Sequence, residues 1–204
     1  MDPKALYKMT YGLFVLTASE NGKDNGCIIN TAIQVTGDPN RIAIAVNKSN
    51  LTHDMIMATR KFTVSAISEK ADFSLFQRFG FQSGRTTDKL FGFPYWKRGY
   101  NEVPYITQGT NAFISAWVQE TVDLGTHTLF IGGVTDMEVL DSAPSCTYAY
   151  YQSSIKPKPQ TAPQGKTTWV CNVCGYIYEG DELPADFVCP VCKHPAADFT
   201  KQQA

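Results

Sequence analysis

The sequence of 204 residues has no apolar stretch long enough to cross a bilayer and no block of basic residues. Its 18 Lys and Arg nearly balance its 19 Asp and Glu, which leaves no excess positive charge for nucleic acid or an anionic membrane surface. The first ten residues, MDPKALYKMT, contain neither the basic nor the apolar region of a secretory signal. We therefore expect a cytoplasmic protein that binds neither nucleic acid nor membrane.

Two nucleotide-binding fingerprints are also missing from the sequence. No G-x-G-x-x-G follows a predicted strand, which excludes a Rossmann-type dinucleotide site, and no Walker loop is present. The sequence therefore predicts neither a Rossmann-type nor a Walker-type nucleotide site.

Four of the six cysteines form two Cys-x-x-Cys pairs. The pairs are Cys171 with Cys174 and Cys189 with Cys192. Two such pairs facing each other bring four thiolates to one metal ion, and a tetrahedral sulfur site accepts either zinc or iron. The spacing alone leaves a structural zinc ribbon and an iron centre equally open. Cys27 and Cys146 are isolated in apolar segments, where we expect them to be buried, and this usage favours a reducing compartment.

Residues around the cysteines distinguish the two metals. They are Trp169, Gly175, Tyr176, Ile177, Tyr178, Phe187, Pro190 and Phe199. Their spacing resembles rubredoxin position for position across 169–199. The resemblance implies one iron, cycling between Fe3+ and Fe2+ in a site of four cysteine thiolates, with the aromatic side chains as a small core behind it. Only the 14 residues 175–188 separate the pairs, fewer than in free-standing rubredoxins, so we expect a more exposed iron and a shifted potential.

The composition changes sharply before this segment. Residues 153–166 are rich in proline and small polar residues and offer almost nothing to bury, which predicts a flexible linker. The chain is therefore predicted to divide into a large domain at 1–152, the linker, and a small metal-binding domain at 167–204.

The large domain is predicted to be mainly β. Segments rich in β-branched and aromatic residues, separated by turn sequences, predict strands at 11–19, 26–36, 41–48, 62–68, 111–124, 127–140 and 147–152. Short helices are predicted at 3–9, after Asn50 or Thr52 as the N-cap, and at 71–80 ending at Gly80. Many antiparallel strands with few helices favour a closed barrel, because closure removes exposed sheet edges.

Three polar clusters interrupt this β pattern. They are Asn30 and Thr31 within GCIINTAIQVT, the residues 47–53 within AVNKSNLTHDMI, and the glycine-containing loop 83–89. Hydroxyl groups at a helix N-terminus together with cations suit a phosphate monoester, and short polar side chains suit the edge of a flat heterocycle. Singly, each cluster is more simply a solvated surface.

In order and spacing the clusters resemble the flavin reductase-like split-barrel family along nearly all of 1–150. That resemblance implies a homodimer of six-stranded Greek-key barrels holding FMN near the subunit interface. The residues implied to contact FMN are Ile29, Asn30, Thr31, Asn47, Lys48, Ser49, Thr52, His53, Ser83, Gly84, Arg85 and Lys89. The first three would line the isoalloxazine ring, 47–52 the ribityl chain, and 83–89 the phosphate.

The resemblance also places His127 near the flavin and the nicotinamide, as the candidate catalytic residue. The alternative is a hydrogen-bonded core histidine. Thr126 stands where the family commonly has aspartate, which bears on how the His127 ring is oriented, and Leu90 stands where phenylalanine is frequent.

A hydride carries two electrons, a rubredoxin iron takes one, and a flavin converts between the two. The sequence therefore predicts an oxidoreductase that passes electrons from NADH or NADPH through FMN to iron. Reductase domain first and rubredoxin last resembles the high molecular weight rubredoxins of anaerobic bacteria. That likeness implies NADH as donor and a flavo-diiron protein reducing oxygen or nitric oxide as acceptor. Two alternatives remain open: an FMN and iron electron carrier that does not oxidise nicotinamide, and a zinc-ribbon binding module on a flavin-free barrel.

Overall fold

The computed structural model describes residues 1–157, 167–172, 174–190 and 194–202. The strands of its larger domain are β1 (Phe14–Glu20), β2 (Lys23–Ile29), β3 (Ala32–Gly37), β4 (Asn40–Asn47), β5 (Lys61–Ile67), β6 (Trp96–Arg98), β7 (Pro104–Ile106), β8 (Thr110–Asp123) and β9 (His127–Val139). Seven of them form an antiparallel sheet in the order β2-β1-β5-β8-β9-β4-β3, and β6 and β7 form a separate hairpin.

The seven-stranded sheet encloses one core. Cys27 on β2 and Ile44 on β4, near opposite ends of the strand order, belong to the same buried cluster as Phe62 and Phe130. A flat sheet would hold these side chains far apart, so the sheet curves around its inward-facing residues as a barrel does. Burying a large apolar side chain completely, as at Phe62 and Phe130, stabilises the fold by about 1.5–3 kcal/mol each.

The mainly β fold with a few short helices is confirmed. The stretch 26–36, predicted as one strand, is two, which raises the large sheet to seven strands from the six of the family's barrel. Ile29 pairs with Phe14 on β1, whereas Ala32 pairs with Ile44 on β4. Asn30 and Thr31 therefore form the corner where the chain crosses from one edge of the sheet to the other.

The predicted helices are also present. A 3₁₀ helix spans Pro3–Lys8, and α1 (Leu51–Thr59) begins after Asn50, which takes the N-cap position in place of Thr52. The second helix, α2 (Phe73–Gly80), ends at Gly80 as predicted and begins after the N-cap Asp72, whose carboxylate accepts a hydrogen bond of 2.8 Å from the Ser74 N–H.

The predicted strand at 147–152 is wrong. The segment is helical, with α3 at Tyr148–Tyr150 followed by a π-helical turn at Tyr151–Ile155. The Thr147 hydroxyl accepts a hydrogen bond from the Tyr150 N–H, and the Tyr151 ring packs 4.4 Å from that of Phe76 on α2. The aromatic residues that favoured a strand instead serve packing between helices.

A small three-stranded sheet forms the C-terminal region, in the order β11-β10-β12. Its strands are β10 (Thr168–Cys171), β11 (Ile177–Glu179) and β12 (Phe199–Gln202), and a 3₁₀ turn at Ala196–Asp198 precedes the last of them. Most of the predicted linker, 158–166, and the predicted metal ligand Cys192 lie outside the described residues. Within the described part of the chain, no helix is both long and apolar enough to cross a membrane.

Candidate functional site

Three of the four predicted metal ligands lie together. The sulfur atoms of Cys171, Cys174 and Cys189 are all within 4.8 Å of one another, and those of Cys174 and Cys189 are 3.5 Å apart. A tetrahedral site with metal–sulfur bonds of about 2.3 Å has sulfur–sulfur edges of about 3.8 Å. The three buried thiols therefore fit an iron or zinc ion bound by sulfur.

Backbone hydrogen bonds fix the residues next to these cysteines. The Gly175 N–H donates a hydrogen bond of 2.8 Å to the Cys171 carbonyl, and Gly175 has a φ of +78°, which glycine adopts without a steric cost. The Cys189 N–H donates to the His194 carbonyl at 2.8 Å. The predicted aromatic core lies behind the site, with the Phe187 ring 4.8 Å from Tyr178 and 5.4 Å from Phe199.

Two other cysteines lie in the barrel domain, away from this site. Cys27 and Cys146 are buried, as predicted. Burial raises the pKa of the Cys146 thiol to about 11 and also raises that of Cys27. Both therefore stay protonated at neutral pH, the unreactive form of a thiol.

The barrel domain brings the three polar clusters to one end of its strands. The Thr31 hydroxyl donates to the Ala45 carbonyl at 2.8 Å, two residues before Asn47. Asn47 is paired across the sheet with His127, the first residue of β9. The Arg85 guanidinium of the loop reaches the Ser49 carbonyl at 3.3 Å. Segments distant in sequence thus meet where β4 ends and α1 begins.

The loop 83–89, which is predicted to contact the phosphate, is largely exposed and carries hydroxyl groups beside a cation. The Arg85 guanidinium forms an ion pair with Asp54 at 2.8 Å, and both side chains are about half exposed. Hydrogen bonds from Arg85 and then from His53 hold the pKa of Asp54 below its ordinary value. Arg85 is therefore held at the start of α1, where the helix dipole also favours an anion.

Gly84 allows this loop to approach the barrel closely. A Cβ atom at Gly84 would lie 2.2 Å from the Asn25 side-chain oxygen. The Asn25 amide in turn donates to the Thr52 hydroxyl at 2.9 Å, both residues being buried. Asn25 was not among the predicted site residues, although a polar residue beside Gly26 in an apolar strand is a signal that could have identified it.

Contacts with other protein side chains fix the side chains of Asn47 and Lys48. The Asn47 side-chain oxygen accepts hydrogen bonds of 2.9 Å from both the N–H and the hydroxyl of Ser49. The Lys48 ammonium group pairs with Asp123 at 2.6 Å, and this hydrogen bond is the main cause of the lowered pKa of Asp123. The turn is therefore fixed by its own side chains.

The candidate catalytic histidine is at the rim of the barrel. His127 is half-buried, and its Nδ1 lies 2.9 Å from the exposed Thr126 hydroxyl. Thr126 thus gives the ring a polar partner at the position where the family commonly has aspartate. This location does not match the alternative of a core histidine.

His53 is the histidine that is built into the core. Its Nε2 lies 2.9 Å from the Thr128 hydroxyl and its Nδ1 3.2 Å from Asp54, and its ring meets Phe130 edge-on at 5.6 Å. Both ring nitrogens are occupied by protein groups. The imidazole therefore fixes Asp54 and the start of α1.

Besides Thr52 and His53, two more of the predicted cofactor residues are turned inward. Ile29 is buried in the barrel core, so its backbone is the part that can face a ligand. The buried Lys89 ammonium donates to the carbonyls of Gly26 at 2.8 Å and Phe79 at 3.1 Å, and burial lowers its pKa. Lys89 thus ties β2 to α2 in this structure.

The deciding comparison is with known families. Residues 6–158 match the family described as "Flavin reductase like domain", and residues 169–200 match "Rubrerythrin, rubredoxin-like domain". The chain belongs to the flavin reductase-like family. It carries a rubredoxin-like domain at its C-terminal end.

Relatives in this family share either both domains or the first. The chain is 40% identical over 220 residues to "High molecular weight rubredoxin" of Moorella thermoacetica, covering 94% of this chain and 96% of the relative. It is 41% identical over 163 residues to "Ferric-chelate reductase (NAD(P)H)" of Archaeoglobus fulgidus, covering 79% of this chain and 96% of that one. The solved structure of flavin reductase PheA2 is 26% identical with a TM-score of 0.59, over 70% of this chain and 90% of that chain.

The barrel of this family member has room for a flavin ring beside the predicted residues. A pocket of about 730 Å³, within the usual range for cofactor sites, is lined by Asn30 and Thr31 together with Met9, Tyr11 and Tyr148. Aromatic walls and two short polar side chains suit a flat heterocycle with polar edges. The residues present therefore fit a flavin.

Proposed function

We propose that the protein oxidises NADH, or NADPH, and passes the electrons through FMN to an iron centre held by four cysteine thiolates and on to a separate redox partner. The carrying observation is that one chain joins a flavin reductase-like barrel to a buried cluster of three thiols whose sulfurs lie within 4.8 Å of one another. When bound, FMN supplies the conversion from a two-electron to a one-electron carrier, and iron supplies the one-electron step.

The nicotinamide donor is supported by one relative's name. The protein from Archaeoglobus fulgidus that is 41% identical is named for NAD(P)H as its reductant. NADH as the donor is what the resemblance to high molecular weight rubredoxins implies. The barrel needs no dinucleotide fingerprint for this task, because the nicotinamide has only to stack near the flavin.

Different residues of the chain would contact different parts of FMN. Arg85, the Ser49 hydroxyl and the N-terminus of α1 would hold the phosphate by charge and hydrogen bonds. Asn30 and Thr31 at the strand corner would meet the edge of the ring. Asn47, with the fixed turn that follows it, would run along the ribityl chain.

His127 would orient the nicotinamide and the flavin ring from the rim. Its position across from Asn47 and its contact with the Thr126 hydroxyl give it a defined direction. Hydride transfer needs no acid or base if the two rings are held at the correct distance, so positioning is the contribution expected of His127.

The proposed assembly is a homodimer. Ile33, Trp117 and Met137 are 63%, 51% and 55% exposed, on β3, β8 and β9. Ile33 and Met137 also line one apolar groove of about 300 Å³. Large exposed apolar side chains favour association.

We propose a flavo-diiron protein in the cytoplasm of an anaerobe as the electron acceptor.

One experiment tests both cofactors and the donor. The purified, iron-loaded chain should show flavin absorption bands and a ferric-thiolate band, and both should bleach when NADH is added under anaerobic conditions. If the flavin stays oxidised with NADH and with NADPH, the chain is an electron carrier without nicotinamide oxidation. A colourless protein that takes up neither iron nor flavin would mean a zinc-ribbon binding module.

A further inference from the structure

The cysteine cluster packs against the barrel domain through two aromatic side chains. Phe73, the first residue of α2, and Phe81, which directly follows that helix, both contact the cluster formed by the three cysteines and Phe199. Their rings are 5.7 Å apart. One short helix thus presents a pair of phenylalanines to the metal-binding domain.

Two tyrosines continue this surface toward the predicted flavin pocket. The Tyr151 ring packs 4.4 Å from that of Phe76 on α2. The Tyr148 ring is 6.2 Å from that of Tyr151. Both tyrosines line a groove that also contains Phe81, and Tyr148 in addition lines the pocket of Asn30 and Thr31. Aromatic side chains therefore stand between the cysteine cluster and that pocket.

We propose that Phe73, Phe81 and Tyr151 form the docking face on which the iron centre is reduced by the flavin of the barrel domain. This inference rests on the proposed function. Each NADH oxidised to NAD+ releases one proton to solvent and supplies two electrons, which reduce the one iron of the chain from ferric to ferrous twice in succession. The electron acceptor returns the iron to ferric after each reduction.

A small aromatic face suits a contact that must form and break. Contacts between domains of one chain resemble transient protein interfaces unless they are large and apolar. Here the barrel-domain side chains that pack on the cysteine cluster are, among the described residues, the two phenylalanines. The docked state would serve reduction of the iron, and release would expose it to the acceptor.

Docking can be measured without any redox chemistry in the zinc-loaded full chain. The sequence has three tryptophans, Trp96 and Trp117 in the barrel domain and Trp169 in the metal-binding domain. With tryptophan labelled by ¹⁵N, the relaxation of the Trp169 indole should match that of the other two while the domains are docked. In Phe81→Ser and Phe73→Ser it should show faster, independent tumbling.

Control variants separate docking from general damage. Tyr100→Ser removes an aromatic ring that is 79% exposed and outside the face, and should leave all three indoles unchanged. Phe81→Leu keeps an apolar contact and should restore most of the docking. If Trp169 tumbles independently in the unaltered chain, or stays docked in both serine variants, the inference is wrong.

Rates in the iron-loaded chain connect docking to electron transfer. If the docked fraction falls to about a tenth in Phe81→Ser, iron reduction should slow about tenfold while flavin bleaching by NADH keeps its rate. Equal rates of iron reduction in Phe81→Ser and the unaltered chain would overturn the docking face. Failure of NADH to bleach the flavin in the unaltered chain would instead overturn the proposed function.

Discussion

At the scale of single residues, the candidate flavin site depends on side chains that hold one another in place. Asn25 links Thr52 on α1 to the loop that contains Gly84 and Arg85, and His53 links α1 to β9. Their contacts are internal to the protein. The residues that a sequence motif marks are therefore only part of the site, since buried partners set their positions.

Gly84→Ala tests the close approach of the Gly84 loop to Asn25 on β2. The added Cβ would overlap the Asn25 side chain, and overpacking of this kind costs about 1–3 kcal/mol, so the loop should shift and FMN should bind more weakly. Titration of the apoprotein by flavin fluorescence measures the change. Gly37→Ala is the matched control, because its nearest atom would be 3.9 Å away. FMN affinity equal to that of the control would show that the loop is not part of the site.

The ion pair of Asp54 with Arg85 predicts a pH dependence. Because the folded chain lowers the pKa of Asp54, the ionised carboxylate stabilises the fold above its ordinary pKa of 3.8, and this contribution is lost as pH falls through the lowered value. Both side chains are about half exposed, so the pair is worth about 0.2–1 kcal/mol. Asp54→Asn should lower the melting temperature at neutral pH, and the difference should close in acid. A difference that is constant down to the lowest pH at which the chain folds would contradict this.

At the scale of elements, strand positions in the barrel were predictable and the strand corner was not. Runs of β-branched residues predicted the segments that form the large sheet, because a curved sheet buries such side chains. The short hairpin of β6 and β7 was not predicted. Two other features were not predictable: the division of the predicted strand 26–36 into β2 and β3 at Asn30, and the helix in place of a strand at 147–152. Both depend on which neighbouring segment the chain packs against, and the local sequence does not show this. Lys89 shows the same limit, since nothing local in the sequence indicates that its ammonium group is buried against two carbonyls.

Helix α2 ties the barrel domain to the metal-binding domain, and its cap should affect both. Asp72→Ala removes the acceptor of the Ser74 N–H and should destabilise the helix by about 1 kcal/mol, whereas Asp72→Asn keeps the cap. Because Phe73 directly follows the cap, the alanine variant should also weaken docking in the Trp169 relaxation experiment. An unchanged melting temperature in the alanine variant would mean that the cap contributes little.

At the scale of the whole molecule, the two domains perform steps that metal substitution can separate. The barrel residues that would hold FMN are distinct from the three described cysteines, so nothing in the flavin site requires a redox-active metal. Zinc fits the same sulfur ligands as iron but does not change its oxidation state. Exchange of iron for zinc should therefore leave the fold and the first electron-transfer step intact.

The zinc-loaded chain should bleach its flavin with NADH at the rate of the iron-loaded chain and should fail to reduce a one-electron acceptor at the iron-dependent rate. The readouts are stopped-flow flavin absorbance and anaerobic reduction of that acceptor under multiple turnover. Cys171→Ser, which removes one buried ligand, provides the control for a damaged metal site, because it should lose metal as well as acceptor reduction. If the zinc-loaded chain reduced the acceptor as fast as the iron-loaded chain, electrons would leave directly from the flavin, and the rubredoxin-like domain would have a purely structural role.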